Sequence, residues 1–135
     1  MGIDLNDLTI VLPTRNESRN IRNFLRSLPE NVSLVVVDAS EDTTADIVSS
    51  VRPDYTKLIR HPGTVTEARR IGADAANTRW LLFTDADIVF SRDYFRNVGK
   101  FEEYDLIYGP KLSIDRFRAY YKWFAYGQSL IHALG

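Results

Sequence analysis

The sequence predicts an α/β protein in which helices cover both faces of a doubly wound, mostly parallel sheet. Short apolar runs rich in β-branched residues alternate with amphipathic helical patterns along the chain. Runs that are apolar at every position are typical of parallel strands buried on both faces. The five prolines fall at the junctions between these segments, where proline is tolerated. These observations predict a β-α-β-α-β-α-β order with right-handed crossovers, in a three-layer α/β/α arrangement.

The predicted strands are short and well separated. Continuous apolar sequence marks residues 8–12, 34–37, 80–83 and 106–108, and residues 57–60 are a weaker candidate. No internal repeat, low-complexity tract or linker interrupts the chain. We therefore expect one domain over residues 1–135. Its core sheet and helices occupy residues 1–112, and an amphipathic aromatic helix follows in residues 113–135.

The first predicted helix follows the first strand. Thr14 and Glu17 have the spacing of a capping box just before it. Its apolar face is marked by residues that recur at intervals of three or four, with arginines around the other side. These apolar residues are Ile21, Phe24, Leu25 and Leu28.

Two further helices are predicted after the second and third strands. A short helix over residues 45–51 is opened by Thr43 or Thr44. Thr64 and Glu67 repeat the capping-box spacing before a helix over residues 68–76. Within that helix we expect Gly72 to allow close packing of helix on sheet.

Composition excludes several classes of protein. The chain has 135 residues, a hydrophobic fraction of 44% and a charged fraction of 26%, as in ordinary globular domains. The net charge of −1 provides no overall field toward nucleic acid, so no nucleic-acid partner is expected. The absence of cysteine excludes disulfides, a thiolate zinc site and a cysteine nucleophile, and it fits a reducing compartment. His61 and His132 are isolated, so a structural zinc site is not expected.

The expected location is the cytoplasm. The first residues lack the basic start and the apolar run of a signal peptide. No uninterrupted apolar stretch reaches the roughly 18 residues that a membrane span needs. In the predicted helix over residues 116–134, aromatic and aliphatic residues recur at helical spacing, and basic residues cluster at its start. Three uses stay open for this helix: packing on the core, contact with a second copy in a homodimer, or peripheral contact with the inner face of a membrane.

Candidate site residues lie where the strands end, because open α/β sheets bind ligands beyond the carboxyl ends of their strands. The segments after the first four strands are residues 13–17, 38–42, 61–64 and 84–87. Three of the four contain carboxylates. Clustered carboxylates repel one another unless a cation or hydrogen-bond donors intervene. The sequence therefore predicts a polar binding site at this edge of the sheet.

Asp85 and Asp87 are the candidate metal ligands. If the chain stays extended after residue 83, residues two apart project to the same side. Two converging carboxylates form a hard oxygen site that suits Mg²⁺ or Mn²⁺, which would bridge the phosphates of a nucleotide diphosphate. The alternative is a turn in which an aspartate merely caps the next segment.

Asp38 and Arg69 are the other charged candidates. Asp38 ends the second strand, where a carboxylate can accept hydrogen bonds from a base or a ribose. The alternative is an Asx turn or helix cap, which Asp42 fits better. Arg69 and Arg70 are expected to begin the third helix, where a cation opposes the helix dipole unless an anion lies nearby. Arg69 would then balance the acids or touch a diphosphate, whereas Arg70 fits an exposed surface position.

Four segments in register resemble family 2 glycosyltransferases with a GT-A fold, including the dolichol-phosphate mannose and glucose synthases. Residues 8–17 read LTIVLPTRNE, 36–44 read VVDASEDTT, 68–72 read ARRIG and 81–87 read LLFTDAD. The resemblance implies a nucleotide-diphospho-sugar donor, linked to UDP or GDP. It implies that Pro13, Thr14 and Glu17 line the nucleotide pocket, that Asp38 contacts the base and that Arg69 lies near the diphosphate. It also implies that Asp85 touches ribose or sugar and that Asp87 holds the metal.

The chain departs from that family at three positions and in its length. Val37 stands where the family usually has the first of two adjacent acids, Arg15 stands where it often has an aromatic residue, and Arg70 stands where asparagine is common. The catalytic acid and the acceptor-binding elements of the family come after a second glycine-rich segment, and nothing up to Gly135 matches them. We therefore expect the donor-binding half of a longer enzyme, with no general base assigned and an acceptor of unknown identity, a lipid-linked one included.

Three rival functions compete with this interpretation. A non-catalytic nucleotide-binding or assembly module would keep the fold without the acceptor half. A receiver-like signalling domain is disfavoured because the first strand ends in Pro13 and Thr14 rather than in paired acids. A dinucleotide oxidoreductase is disfavoured because no Gly-x-Gly-x-x-Gly follows any strand.

Overall fold

The structure is a computed structural model, and it describes residues 3–98 and 100. These residues belong to the first of two compact units, Met1–Glu102, and the second unit lies outside the described residues. A 3₁₀ turn, Leu5–Asp7, precedes the first strand. The strands are β1 (Leu8–Thr14), β2 (Ser33–Asp38), β3 (Thr56–Arg60) and β4 (Trp80–Phe83). The helices are α1 (Ile21–Arg26), α2 (Thr44–Val51), α3 (Val65–Ala75) and α4 (Tyr94–Val98).

The four strands form one parallel sheet in the order β3-β2-β1-β4. The chain moves outward from β1 to β3 and then crosses back to place β4 on the other side of β1. This reversal creates a topological switch point between β1 and β4, where open α/β sheets form their binding crevice. The predicted order and the doubly wound parallel sheet are confirmed.

Helices cover both faces of the sheet. The larger core packs α1, α2 and α4 against the face of β1 and β2 that carries Ile10 and Val36. On the opposite face, α3 packs Ala68 against Val35 and Val37. Every residue of β1 except Pro13 is buried, which explains why β1 is mostly apolar and lacks the alternation of a half-buried strand.

Gly72 brings α3 close to the sheet. A Cβ atom at this position would overlap Cγ1 of Val11, and it would lie 3.5 Å from Cγ2 of Val37. Val11 is fully buried in β1, so it has little room to move. The expected close helix–sheet contact at Gly72 is confirmed.

One predicted capping box is present and the other is not. In α3 the Thr64 hydroxyl accepts from the Glu67 N–H, and the Glu67 carboxylate accepts from the Thr64 N–H. In contrast, Thr14 belongs to β1 and donates its hydroxyl to Asp38. Because α1 begins only at Ile21, the predicted Thr14–Glu17 box is wrong.

The helix starts differ in detail from the prediction. Thr43 is the N-cap residue of α2, but its side chain makes no capping hydrogen bond. The third helix begins at Val65, three residues before the predicted start. Arg69 and Arg70 therefore lie in its second turn and not at its start. The argument that placed an anion beside Arg69 from the helix dipole is thus wrong, since that effect is confined to the first turn.

Arg52 follows α2 and ties three segments together. Its guanidinium donates to the backbone oxygens of Pro29, Glu30 and Val32, at 2.9, 3.2 and 2.7 Å. It also donates to the 54–56 segment, including a 2.9 Å bond to the Thr56 hydroxyl. Burial lowers the pKa of Arg52 from its ordinary value. The guanidinium therefore joins the turns before β2 and β3 through their backbone carbonyls.

Several predictions fall outside the described residues. They are the strand at residues 106–108, the helix over residues 113–135 with its membrane and dimer alternatives, and His132. Within residues 3–98 and 100, no helix is long and apolar enough to cross a membrane.

Candidate functional site

A cavity of about 320 Å³ opens at the carboxyl ends of the strands, a volume at the lower end of the range of small-molecule sites. Its walls come from the segments that follow β1, β2 and β4 and from the start of α3. The lining residues are Pro13, Thr14, Arg15, Glu17, Val37, Ala39, Gly63, Thr64, Val65, Ala68, Asp85, Ala86 and Asp87. The cavity therefore occupies the crevice that the sheet topology creates beside β1.

Asp85 and Asp87 both line this cavity, but the chain that carries them is not extended. The N–H of Ile88 donates to the Asp85 carbonyl at 3.2 Å, which closes a turn around Ala86 and Asp87. The expectation that two-residue spacing alone would aim both carboxylates is therefore wrong. Instead, the turn brings both acids to the cavity wall. Ala86 is buried against the core, and Asp85 and Asp87 on either side of it lie at the wall.

Arg69 reaches Asp85 from α3. Its Nη2 lies 3.3 Å from Oδ1 of Asp85, and both side chains are more than a third exposed. An ion pair with this exposure contributes little to stability, about 0–1 kcal/mol. It does place a cation beside the acids, as the sequence suggested. Arg70 lies at the exposed position expected of it and pairs with Asp74 one turn along the helix, at 3.6 Å.

Glu17 and Asn16 organise the loop after β1. Asn16 has a φ of 54°, a left-handed conformation that asparagine tolerates better than most residues. Its side-chain oxygen accepts from the N–H of Glu41 at 3.0 Å, and its own N–H donates to the Ser40 hydroxyl at 2.8 Å. The N–H of Glu17 donates to the Thr44 hydroxyl at 2.9 Å. The loops after β1 and β2 are thus fastened to each other at the cavity wall.

Asp38 does not line the cavity. Its side chain is 0% exposed, and its carboxylate accepts from the Thr14 hydroxyl at 2.5 Å and from the Ser40 hydroxyl at 2.6 Å. It also forms an ion pair with Arg60, which ends β3. In this structure Asp38 joins three strand ends and presents no oxygen to a ligand.

Two arginines of the site region were missed in the sequence. Arg60 pairs with Asp38 because the two residues are neighbours in the β2–β3 register, and this is a tertiary relation that local sequence does not display. Arg15 is exposed, and among the described residues of the cavity lining it is the cationic one. The sequence marks Arg15 as a departure from the family pattern, and its place at a strand end is that of a site candidate.

The formal charge of the lining is negative. Within the part of the chain that the structure describes, Glu17, Asp85 and Asp87 supply three carboxylates to the lining, against one guanidinium from Arg15. Arg69, which is not itself a lining residue, pairs with one of these acids, Asp85. A diphosphate entering this cavity would be repelled unless a cation came with it. Among the described residues, no group of three or more His, Cys, Asp or Glu side chains is placed to hold a metal by itself. A metal here would thus take part of its coordination from the ligand or from water, as Mg²⁺ commonly does.

Two carboxylates near the site have lowered pKa values for local reasons. Hydrogen bonds from Thr44 and Ser18 lower the pKa of Asp42 to about 2, the largest contribution coming from the Thr44 hydroxyl. The backbone N–H of Thr64, donating at 2.8 Å, holds the pKa of Glu67 below its ordinary value. Both carboxylates serve turn and helix-cap geometry, as the Asx-turn interpretation of Asp42 expected.

Solved structures of TarS from S. aureus resemble this fold. The structure of TarS 1-349 matches with 24% identity and a TM-score of 0.62, over 67% of this chain and 30% of that chain. A complex of TarS 1-349 with UDP matches with 24% identity and a TM-score of 0.61, with the same coverage. A longer TarS structure matches with 25% identity and a TM-score of 0.59, over 67% of this chain and 18% of that chain. This chain therefore spans less than a third of the TarS chains that it matches.

A search of the curated proteins found no match. The sequence does match the glycosyl transferase family 2 profile, over residues 9–124. That range covers most of the chain and includes every residue of the cavity lining and all of β1 to β4 except Leu8. With the parallel sheet and its structural matches, it confirms the predicted GT-A fold. The chain belongs to glycosyl transferase family 2.

Proposed function

We propose that this chain carries the donor site of a metal-dependent glycosyltransferase and binds a nucleotide-diphospho-sugar, UDP- or GDP-linked, together with Mg²⁺ or Mn²⁺. The observation that carries the proposal is the meeting of Asp85 and Asp87 with Pro13, Thr14 and Glu17 around one cavity at the switch point. The existence of a UDP complex of TarS, whose fold this chain shares, supports a uridine nucleotide as the first donor to test.

The charges of the cavity support a metal. Asp85 and Asp87 would hold the cation from one side, and the diphosphate oxygens would complete its coordination. When bound, such a cation neutralises the charge that develops on the departing diphosphate. Arg69, fixed beside Asp85, adds a second positive group at the same end of the cavity.

The reaction we propose is substitution at the anomeric carbon of the donor sugar. An oxygen of the acceptor forms the new bond to that carbon, and the bond to the diphosphate breaks, with its electron pair leaving on the diphosphate oxygen. A hydroxyl acceptor also loses a proton, and we assign no described residue as its base. We place this reaction in the cytoplasm, with a lipid-linked acceptor at the inner face of a membrane as one alternative.

Calorimetry with UDP and GDP in the presence of Mn²⁺ tests the donor site. We expect at least one nucleotide to bind, and we expect Asp87→Ala to weaken that binding by at least about tenfold, equivalent to about 1.4 kcal/mol. Asp93→Ala is the matched control, because Asp93 is an exposed acid further along the chain whose carboxylate pairs with Arg96. Absence of binding by both nucleotides, or equal affinities for the two variants, would show that the donor-site assignment is wrong.

A non-catalytic nucleotide-binding module is the second candidate. This candidate predicts that the protein binds nucleotides normally but neither transfers the sugar from UDP- or GDP-sugars nor hydrolyses these donors.

A further inference from the structure

Four exposed arginines begin at the cavity and continue along α1. They are Arg15, Arg19, Arg22 and Arg26, and we call them the arginine stripe. Arg15 lines the cavity, whereas Arg26 is the last residue of α1. The stripe therefore connects the cavity rim to the outer surface of a helix.

α1 places the stripe on its solvent side. The residues of α1 that are buried in the larger core are Ile21, Phe24 and Leu25. Because an α-helix has about 3.6 residues per turn, Arg22 and Arg26 lie side by side outside this buried face, about 6 Å apart along the axis. Arg19 continues the row, since the chain already turns helically there: the N–H of Ile21 donates to the Glu17 carbonyl at 2.9 Å. Three guanidinium groups thus follow one another on the outside of the helix.

No acid neutralises the stripe within the part of the chain that the structure describes. There, no ion pair or side-chain hydrogen bond involves any of its four guanidinium groups, whereas Arg69, Arg70 and Arg96 each pair with an aspartate. The one acid between residues 15 and 26 is Glu17, and its carboxylate accepts from the Asn20 amide at 3.0 Å. A local excess of positive charge therefore lies on a chain whose net charge is −1.

The stability of α1 does not account for these arginines. Arg22 lies in the first turn, where a cation opposes the helix dipole, and that turn contains no acid. Arg22 and Arg26 are four residues apart, a spacing at which like charges destabilise a helix. Arg26 has a favourable place with respect to the dipole, because it lies in the last turn. An anionic partner would offset the repulsion within the stripe.

The chemistry of the stripe suits phosphate groups arranged on a surface. Guanidinium groups bind phosphate oxygens through two parallel hydrogen bonds, and all four cations of the stripe are arginines. Because the row lies on the outside of a helix, a flat array of phosphates would contact its members together. A single-stranded nucleic acid is a poorer partner, since its binding sites add aromatic side chains on which bases stack. The exposed residues next to Arg19 and Arg22 are instead Asn20 and Asn23.

We propose that the arginine stripe docks the protein on a membrane surface rich in anionic phospholipids. This inference goes beyond the proposed donor function and does not require it. Docking along α1 would also hold the rim of the cavity, at Arg15, next to the phospholipid headgroups. If the donor function holds as well, a lipid-linked acceptor would reach the donor from that surface.

Co-sedimentation with vesicles in about 0.1 M salt measures the docking. The vesicles are phosphatidylcholine with about one third phosphatidylglycerol, and pure phosphatidylcholine vesicles are the reference. Each arginine near an anionic surface strengthens binding by about fivefold, so R19Q/R22Q/R26Q should lower the partition coefficient by at least about tenfold. The matched control R70Q/R92Q/R96Q removes the same charge from exposed arginines outside the stripe. It should lower the partition coefficient by less than about threefold, because salt screens charges that lie more than a Debye length from the surface.

Three results would overturn the proposal. The wild type could fail to prefer anionic over neutral vesicles, the two triple variants could lose affinity equally, or R19Q/R22Q/R26Q could bind like wild type. Binding of a labelled single-stranded RNA, measured by fluorescence anisotropy, tests the nucleic-acid alternative, and stripe-dependent RNA binding without vesicle binding would overturn the proposal as well. Thermal denaturation checks that each variant folds. If R19Q/R22Q/R26Q does not fold, Arg22→Gln and Arg26→Gln are measured singly, each with an expected loss of about threefold to fivefold.

Nucleotide calorimetry separates docking from the donor function. Arg19, Arg22 and Arg26 do not line the cavity, so R19Q/R22Q/R26Q should bind UDP in Mn²⁺ with the affinity of wild type. Loss of vesicle binding together with normal UDP binding is the result that docking predicts. Failure of the wild type to bind UDP or GDP would refute the donor function and leave the vesicle measurement interpretable.

Discussion

Replacing Gly72 by alanine tests whether α3 is seated on the sheet as tightly as the structure indicates. The new Cβ would overlap Cγ1 of Val11, a fully buried and β-branched side chain in the central strand. Overpacking of this kind costs about 1–3 kcal/mol, whereas alanine in place of glycine gains about 1 kcal/mol in helix propensity. Because Val11 has little rotamer freedom, we expect a net destabilisation of about 1–2 kcal/mol.

Urea denaturation of wild type, Gly72→Ala, Val11→Ala and the double variant measures this contact. Val11→Ala removes the methyl group that the new Cβ would meet, so the double variant should be more stable than the sum of the two single effects by at least about 1 kcal/mol. Gly72→Ala that stabilises the protein, as at an exposed helix position, would refute the packing argument. Additive effects of the two substitutions would refute it as well.

The remaining predictions concern single side chains. Arg52→Met should lower the free energy of unfolding by about 2–4 kcal/mol in urea denaturation, because it strips buried carbonyls of their donor; an effect below about 1 kcal/mol would contradict this role. Arg15→Gln should weaken UDP binding, measured by calorimetry, by about threefold or more, because a hydrogen bond to a charged group contributes about 1.5–3 kcal/mol. Arg19 lies outside the cavity, so Arg19→Gln should leave UDP affinity unchanged. The folded-state pKa of Asp42, about 2, lies below its ordinary 3.8, so its stabilising effect is present above pH 4 and is lost as the pH falls toward 2. Melting temperatures should therefore fall less steeply between pH 4.5 and about 2.5 in Asp42→Asn than in wild type; parallel curves would contradict the shift.

The strands β1 and β2 could be predicted because burial on both faces leaves a direct mark on the sequence. Every residue of these strands except Pro13 and Ser33 is buried, so the run at residues 34–37 is apolar throughout and the run at residues 8–12 is apolar apart from Thr9. The strands β3 and β4 contain no buried residue, so the expectation of burial on both faces is wrong for them. The Thr64–Glu67 cap was predictable for a similar reason, since both partners lie within one helical turn. This helix cap, whose two partners are close in sequence, could therefore be predicted from the sequence.

The side-chain partners that were missed are distant in sequence. Thr14 could not be identified as a partner of Asp38, because 24 residues separate them and only the β1–β2 register brings them together. The same holds for Arg60, whose role depends on the β2–β3 register. The sequence could indicate which segments meet at the sheet edge, but not which side chains face the cavity and which face one another.

The Asp85–Asp87 pair shows what could be predicted from the sequence and what could not. The sheet edge was predicted correctly from the alternation of strands and helices, and both acids line the cavity there. The period-two argument that aimed them was wrong, because a turn closes at Ile88. The geometry of a short loop depends on where its buried residue, here Ala86, finds space in the core.

Linkage between Mn²⁺ and UDP is the most direct test of the donor-site account. If Asp85 and Asp87 hold a metal that the diphosphate also binds, each ligand must raise the affinity of the other by the same factor. Calorimetry can measure UDP affinity with and without Mn²⁺, and paramagnetic resonance of free Mn²⁺ can measure metal affinity with and without UDP. We predict equal factors of at least about tenfold in wild type and a factor near one in Asp87→Ala. UDP binding of the same strength with and without Mn²⁺ would contradict the account.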